Sequence, residues 1–158
     1  MRVGRLVGAT KTGISIYELP PNQAIGPYHY ENPEDEWLLV LEGRPTLRHP
    51  GGEDELEPWD VVFFPPGPEG AHMVRNDTDS AARVLMFSDV SKVAASVYPD
   101  SGKIAIWTGS DDADLIVRRT SGVDYWDGEG LTRSPRHRPD DRRLREREGL
   151  PLDSWESS

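Results

Sequence analysis

The sequence predicts an all-β fold, a single barrel or sandwich that occupies residues 1–126. Short runs of β-branched, aromatic and aliphatic residues recur about every ten residues, and Pro, Gly, Asn or Asp ends most of them. No segment before residue 126 repeats its apolar residues with a helical period over two or more turns. A chain of 158 residues is long enough for one domain with its own core.

Eight strands follow from these runs, at residues 14–19, 37–41, 45–48, 61–64, 72–76, 83–88, 103–107 and 115–118. The run 37–41, Trp-Leu-Leu-Val-Leu, is wholly apolar and predicts a strand that is buried on both faces. Residues 49–54 are predicted to form a loop or hairpin tip. The strands at 72–76 and 83–88 are predicted to pair with each other as a hairpin around the turn at 77–80.

Residues 127–158 differ in kind from the body of the chain. They hold 7 arginines and 8 acidic residues, and the part from Arg133 to Glu148 has almost no apolar content. Such a segment cannot bury enough surface to offset the entropy lost when it orders. We therefore expect a charged C-terminal tail that is mobile, or docked on the barrel or on a neighbouring subunit.

Composition excludes several classes of function. There is no cysteine, so thiolate metal sites and cysteine nucleophiles are absent. The net charge is −10, and residues 1–126 carry 11 basic and 20 acidic residues, so we expect no nucleic-acid partner. No stretch is apolar enough for a signal-peptide core or a membrane span. The expectation is a cytoplasmic protein without a membrane partner.

Histidine and carboxylate residues flank the predicted strands in a pattern typical of a metal site. If His29 lies on a strand, Glu31 faces the same side, because side chains alternate with period two. Glu36 begins the apolar run 37–41, and His72 opens a strand after a Pro- and Gly-rich loop. A small barrel could bring these four side chains into one cavity. Without cysteine, this donor set suits a divalent transition metal: Fe, Mn, Ni, Co, Cu or Zn.

Each of these residues also has an ordinary structural interpretation. His29 and His72 could be hydrogen-bonded core histidines without metal, and Glu36 could be a solvated carboxylate in its acidic loop. Glu31 could bind the metal, support another ligand, or act as the catalytic general base. Arg48 and Arg75 could orient an anionic ligand, although an exposed arginine is the commoner outcome on a strand.

The first of two motifs in the sequence resembles that of the cupin superfamily. That motif reads Gly, five residues, His-x-His, three or four residues, Glu, six residues, Gly. His29 matches its first histidine, Glu36 its glutamate and Gly43 its closing glycine. Glu31 stands in place of the second histidine, so the usual set of three histidines and one glutamate is incomplete.

The second motif also resembles its cupin counterpart, Pro-x-Gly followed by His, three residues and Asn. Residues 65–67 supply Pro-Pro-Gly, and His72 and Asn76 follow. Asp60 stands where cupins carry a Gly-Asp pair, but Trp59 replaces the glycine. Four residues separate the glycine at position 67 from His72, where cupins have two. The phrases Pro-Glu-Gly-Ala-His and Tyr-Pro-Asp-Ser-Gly-Lys look like those of a subgroup of small, largely uncharacterised cupins.

The resemblance implies a single-domain jelly-roll barrel, a double-stranded β-helix, with one metal inside it and frequently a homodimer. Related folds support dioxygenase, isomerase, decarboxylase and lyase chemistry, so the fold does not choose the reaction. The leading hypothesis is a metal-dependent enzyme that acts on a small polar metabolite, with Glu31 as its proton carrier. The alternatives are a non-catalytic barrel that binds or senses a sugar or metabolite, and a metal-free structural barrel.

Overall fold

The structure is a computed structural model that describes residues 1, 3–110 and 112–130. The chain divides into two compact units, Met1–Gly122 and Val123–Ser158. In the second unit, residues 123–130 form turns, and the remainder of the predicted tail, from residue 131 onward, lies outside the described residues. The predicted domain boundary at residue 126 stays a prediction.

The described part of the first unit is built of strands, with one short helix, α1 (Val3–Leu6), and two single 3-10 turns, Pro68–Gly70 and Arg119–Ser121. No helix in the described ranges is long and apolar enough to cross a membrane. The strands are β1 (Thr12–Leu19), β2 (Tyr30–Asn32), β3 (Glu36–Glu42), β4 (Thr46–His49), β5 (Gly52–Glu55), β6 (Val61–Phe64), β7 (Met73–Arg75), β8 (Ala82–Asp89), β9 (Ala94–Tyr98), β10 (Lys103–Trp107) and β11 (Leu115–Arg118).

The strands form three antiparallel sheets whose neighbours are distant in sequence. Their orders are β1-β8-β3-β6, β11-β10-β9-β2 and β5-β4-β7. The longest pairing joins β1 to β8, from Thr12 opposite Asp89 to Leu19 opposite Ala82. Such long-range pairing is expected of a jelly roll, in which strands from separate parts of the chain complete each sheet. The predicted all-β class is confirmed.

The core lies on the inner face of the β1-β8-β3-β6 sheet and follows the period of two. On β3, Leu38 and Val40 are fully buried, and on β8 Val84 is fully buried opposite Val40. Leu47 and Val74, from the β5-β4-β7 sheet, belong to the same cluster. Burial of such side chains is the main source of stability for the barrel.

Two sequence-based expectations were wrong, and a third was confirmed. Strand β3 is not buried on both faces, because Trp37 lies on the outer face and is 38% exposed. The loop or hairpin tip expected at 49–54 is the tip of the β4–β5 hairpin, although residues 52–54 belong to β5 itself. The runs at 72–76 and 83–88 do not form a hairpin, since β7 pairs with β4 whereas β8 pairs with β1 and β3.

The turn after β7 carries the chain from one sheet to another, and Asn76 holds it. The side-chain nitrogen of this fully buried residue donates to the carbonyls of Leu19 and Ser80, each at 2.7 Å. Its side-chain oxygen accepts from the main-chain nitrogen and the hydroxyl of Thr78. These bonds satisfy the buried amide, so the asparagine of the second motif has a structural role.

Two motif positions show why backbone conformation matters in this fold. Gly43 has a φ of 81°, and a Cβ atom there would lie 2.7 Å from the Cα of Ala82. Trp59, which replaces the motif glycine, has a φ of 79°. The turn therefore keeps the left-handed conformation that glycine adopts freely and other residues adopt at a cost.

Candidate metal centre

Two histidines from separate parts of the chain face each other across an antiparallel bridge. The main-chain nitrogen of His29 donates to the carbonyl of His72 at 3.0 Å, and the reverse bond measures 2.8 Å. Directly paired residues present their side chains on the same side of a sheet. The two imidazole centroids accordingly lie 4.8 Å apart.

Main-chain carbonyls fix the orientation of both rings. Nδ1 of His29 lies 2.8 Å from the carbonyl oxygen of Pro27, and Nδ1 of His72 lies 2.9 Å from that of Gly70. A carbonyl can only accept a hydrogen bond, so Nδ1 carries the proton in each ring. Each neutral imidazole therefore keeps an Nε2 lone pair free to bind a metal.

The carbonyl that orients His72 depends on a glycine. A Cβ atom at Gly70 would lie 1.9 Å from the carbonyl oxygen of Pro65. No side chain fits without moving the main chain on which the His72 ring depends. The loop between β6 and β7 thus constrains the metal centre through its backbone.

Glu36 completes a triad with the two histidines. It is the first residue of β3 and shares the inward parity of Leu38 and Val40. One oxygen from Glu36 and one nitrogen from each ring lie within 4.8 Å of one another. Two imidazoles and a carboxylate suit a divalent transition metal and leave further positions open for water or substrate.

The buried carboxylate oxygen supplies an independent test of whether a metal fits. Oε2 of Glu36 is buried without a hydrogen-bond partner, 3.5 Å from Nε2 of His72. An unpaired buried acceptor is rare, because burial removes its bonds to water. When the carboxyl of Glu36 is ionised, both atoms in this contact are acceptors, and a cation between them would satisfy both. The donor set therefore fits a metal.

The electrostatics of the site indicate a lack of positive charge. Burial, reinforced by the charge of Glu31, raises the pKa of Glu36 to about 7. Burial lowers the pKa of His72 to about 4. Burial lowers the pKa of His29, but Glu31 and the carbonyl of Pro27 raise it overall, because the ring, once protonated, can donate from Nε2 to that carboxylate and from Nδ1 to that carbonyl.

Glu31 lies beside the triad and is held by other groups. It is directly opposite Ser96 across the β2–β9 pair, and Oγ of Ser96 lies 2.8 Å and 2.9 Å from its two carboxylate oxygens. Nε1 of Trp107 donates to Oγ of Ser96 at 2.6 Å, which directs the hydroxyl proton toward Glu31. Oε1 of Glu31 is 3.4 Å from Nε2 of His29. Of the four predicted ligands, the structure brings three together and places Glu31 next to them.

All four predicted site residues line one cavity of about 350 Å³. Aromatic rings stack on the imidazole rings of both histidines. The ring of Phe64 stacks on His72 with 3.8 Å between centroids, and that of Tyr98 stacks on His29 at 5.7 Å. The cavity is of a size that suits a small metabolite, since ligand pockets span about 300–1,000 Å³.

The sequence profile of the cupin domain family matches residues 15–88, which contain all four of these residues. Residues 15–88 of this chain therefore form a cupin domain. A cupin described as a sugar phosphate isomerase from Silicibacter pomeroyi has a TM-score of 0.72, with 24% identity over 77% of this chain and 76% of that one. A candidate sugar phosphate isomerase from Acidithiobacillus ferrooxidans has a TM-score of 0.70, with 23% identity over 85% and 80% of the two chains.

A cupin protein from Bacteroides fragilis is a more distant neighbour of this cupin, with a TM-score of 0.51 and 20% identity over 58% of this chain and 75% of that one. None of the curated proteins matches the sequence. The likeness to these solved structures, all at low identity, establishes the fold of the cupin barrel.

The two arginines considered as ligand anchors lie outside the lining of the cupin cavity. Arg48 makes a bidentate pair with Asp100, at 2.6 Å and 3.0 Å. Arg75 makes one with Glu53, at 2.8 Å and 2.7 Å, and also contacts Asp77. Both side chains are partly buried and carboxylates already occupy both guanidinium groups, so neither arginine is placed to orient a ligand in the cavity.

Sequence reasoning missed Ser96 and Trp107. Both lie on strands of the β11-β10-β9-β2 sheet, and their inward parity follows from the register that places Ser96 opposite Ala105 and Glu31. Strand β9 is a segment of small residues that was not predicted as a strand, and the alternation of its buried residues becomes visible only in the folded structure.

Proposed function

We propose that this cupin is a cytoplasmic metal-dependent enzyme that acts on a small polar metabolite in its barrel. A divalent transition metal would be held by His29, Glu36 and His72, with Glu31 as the proton carrier. The observation that supports this most strongly is the buried, unpartnered Oε2 of Glu36 facing two imidazoles whose free nitrogens are both Nε2. Such a site is costly to maintain without a cation.

The bound metal would act as a Lewis acid toward an oxygen of the substrate. The chain itself supplies a carboxylate that can accept and return a proton, because Glu31 is held at a fixed place by Ser96 and lies beside the triad. Isomerase and lyase reactions need such a group, whereas dioxygenation does not require it. The anchored carboxylate therefore favours isomerase or lyase chemistry. Two structural neighbours are also described as isomerases.

Elemental analysis of untagged protein tests the metal centre. We expect about one transition metal per chain, lost when His29 and His72 are both replaced by Ala. His49→Ala is the matched control, because that ring is bonded to Asp54 and lies outside the cavity. If the double variant keeps its metal and its ligand binding, both the enzyme and the sensor hypotheses fail.

Turnover separates the enzyme from the sensor. A substrate panel assayed with the metal-loaded protein should show activity that Glu31→Gln abolishes while metal content is retained. Stoichiometric metal and tight ligand binding without turnover would instead establish a binding or sensing barrel.

We also propose that the chain forms a homodimer through the outer face of the β1-β8-β3-β6 sheet. Two rows of apolar residues cross all four strands there: Ile14, Phe87, Trp37 and Phe63, then Ile16, Leu85, Leu39 and Val61. Val61 is 62% exposed and Phe63 43%. Exposed patches of this extent usually mark an interface.

A second copy of the chain is the occupant that charge favours. Both rows are neutral, so two chains with a net charge of −10 can meet there without bringing bare charges together. At the end of the rows, Arg83 is already paired with Glu18 and Glu42. Sedimentation should show a dimer at micromolar concentration that Trp37→Glu converts to a monomer. A wild-type monomer, or a variant that is still dimeric, would contradict this interface.

A further inference from the structure

The walls of the cavity are acidic and rich in hydroxyl groups. Among the residues that the structure describes, no lysine or arginine lines it. Two acidic residues do, Glu31 and Glu36, together with five residues that carry hydroxyl groups: Ser15, Tyr17, Ser88, Ser96 and Tyr98. The lining can therefore exchange hydrogen bonds with a neutral polar molecule but offers no side-chain cation to an anion.

An adjoining hollow of about 360 Å³ also has an acidic lining. It shares Glu31 and Glu36 with the cavity and adds Glu34, again without a lysine or arginine in its described lining. The carboxylate of Glu34 accepts a bond of 2.5 Å from the main-chain nitrogen of Ser91. Three carboxylates thus face the combined space, against one divalent cation in the proposed centre.

In the described part of the chain, the ammonium group of Lys103 lies close to this space without lining it. The ammonium group of Lys103 is 5.0 Å from the ring centroid of Tyr98, which does line the cavity. A single flexible ammonium beside an aromatic ring lacks the fork of donors with which arginine holds a phosphate. Among the residues that the structure describes, Lys103 is the cation closest to a place where it could contact a phosphate, so its replacement is a direct test.

We infer that the substrate is a neutral, hydroxyl-rich molecule of the sugar or polyol class and not a phosphorylated sugar. This inference rests on the proposed function and narrows its substrate. A phosphate monoester carries about −1.5 to −2 charges at pH 7 and would enter a space that holds the carboxylates of Glu31, Glu34 and Glu36, with no lysine or arginine in its described lining. Hydroxyl groups can donate to Glu31 and accept from serine and tyrosine hydroxyls, which satisfies both sides. Two structural neighbours are described as acting on sugar phosphates, so the shared barrel would serve a different substrate here.

Calorimetric titration of metal-loaded, full-length protein with matched pairs tests the inference. The probes are D-ribose, D-fructose and D-glucose, each beside its terminal phosphate ester, together with ribitol. We expect at least one neutral probe to bind, and its phosphate ester to bind at least tenfold more weakly, equivalent to about 1.4 kcal/mol. Equal or tighter binding of the esters, or no binding by any neutral probe, would overturn the inference.

Two variants test which residues cause the difference in affinity between a neutral sugar and its phosphate ester. Glu34→Gln removes one carboxylate and should narrow the difference between a sugar and its ester. Lys103→Ala should leave that difference unchanged. If Lys103→Ala selectively weakens the esters, Lys103 is a phosphate anchor and the inference is wrong.

Metal content, measured on every sample, separates failure of the substrate class from failure of the metal centre. Wild-type protein that holds no metal refutes the proposed enzyme. The same titrations in EDTA then test the charge of the cavity alone, with the neutral probe again expected to bind more tightly than its ester. Metal-loaded protein that prefers esters refutes only the substrate class.

Discussion

Replacing Glu36 by Gln should make the metal-free protein more stable while it destroys the metal centre. The substitution keeps the shape of the side chain and removes its charge. In the folded protein the pKa of Glu36 rises from 4.5 to about 7, so the folded state binds this proton more tightly than the unfolded state does. The contribution of Glu36 to stability is then largest below pH 4.5, falls as the pH rises to about 7, and stays low above it.

The size of the effect follows from that shift. At about 1.4 kcal/mol for each pH unit, the ionised carboxylate costs the metal-free fold roughly 3 kcal/mol at pH 8. We expect Glu36→Gln to recover most of this cost, which is about 5–10 °C in the unfolding temperature of a chain of this length. Near pH 5 the wild-type group is protonated, so the variant should gain little there.

Thermal unfolding between pH 5 and pH 8.5, with EDTA and with added metal, measures both effects. Metal should raise the midpoint of the wild-type protein and leave that of Glu36→Gln unmoved, with metal affinity lowered at least about 100-fold. Glu69→Gln, on the exposed turn before His72, is the control and should behave like wild type. Parallel pH profiles for wild type and Glu36→Gln, or an equal response to metal, would refute the reasoning.

Three further substitutions test the surroundings of the site. Gly70→Ala should lower metal affinity about 10–100-fold, because it displaces the carbonyl that orients His72. Gly26→Ala, where a Cβ atom meets nothing within 4 Å, is the control and should keep the wild-type affinity. Equal affinities of the two variants, measured in competition with a chelator, would contradict this. Trp59→Gly should raise the free energy of unfolding, measured by urea denaturation, by about 0.5–1 kcal/mol, because φ of Trp59 is positive and its side chain is 74% exposed. A loss of stability would show that packing of the indole stabilises the fold. Ser96→Ala should reduce turnover far more than metal affinity, because it removes the hydrogen bond that holds Glu31 and leaves the triad intact, and it should cost about 1–3 kcal/mol of stability. If turnover and metal affinity fall by the same factor, the role of Ser96 is merely structural.

The residues of the metal centre could be proposed from the sequence because their signal is local. His29, Glu36 and His72 each stand at a set distance from turn-forming residues, and motif spacing therefore identified them. Their meeting depends on the bridge between His29 and His72, whose two ends lie far apart along the chain. The structure brings these three side chains together, while their binding of a metal stays a prediction.

What the sequence did not reveal depends on pairing between distant strands. Ser96 lies in a run of small residues with weak β-propensity, and only its register against β2 and β10 places it under Glu31. The apolar run of β3 looked buried on both faces because composition cannot tell a solvent-facing Trp37 from a core residue. The turn after β7 looked like a hairpin because local residues indicate a reversal but not the destination of the chain.

The anchoring of both imidazoles by main-chain carbonyls has an evolutionary consequence. No side chain supplies these acceptors, so no single codon change can delete them while the two loops retain their path. Residues around the cavity are then free to diverge and to support new chemistry, as long as the main-chain conformation near Pro27 and Gly70 is retained.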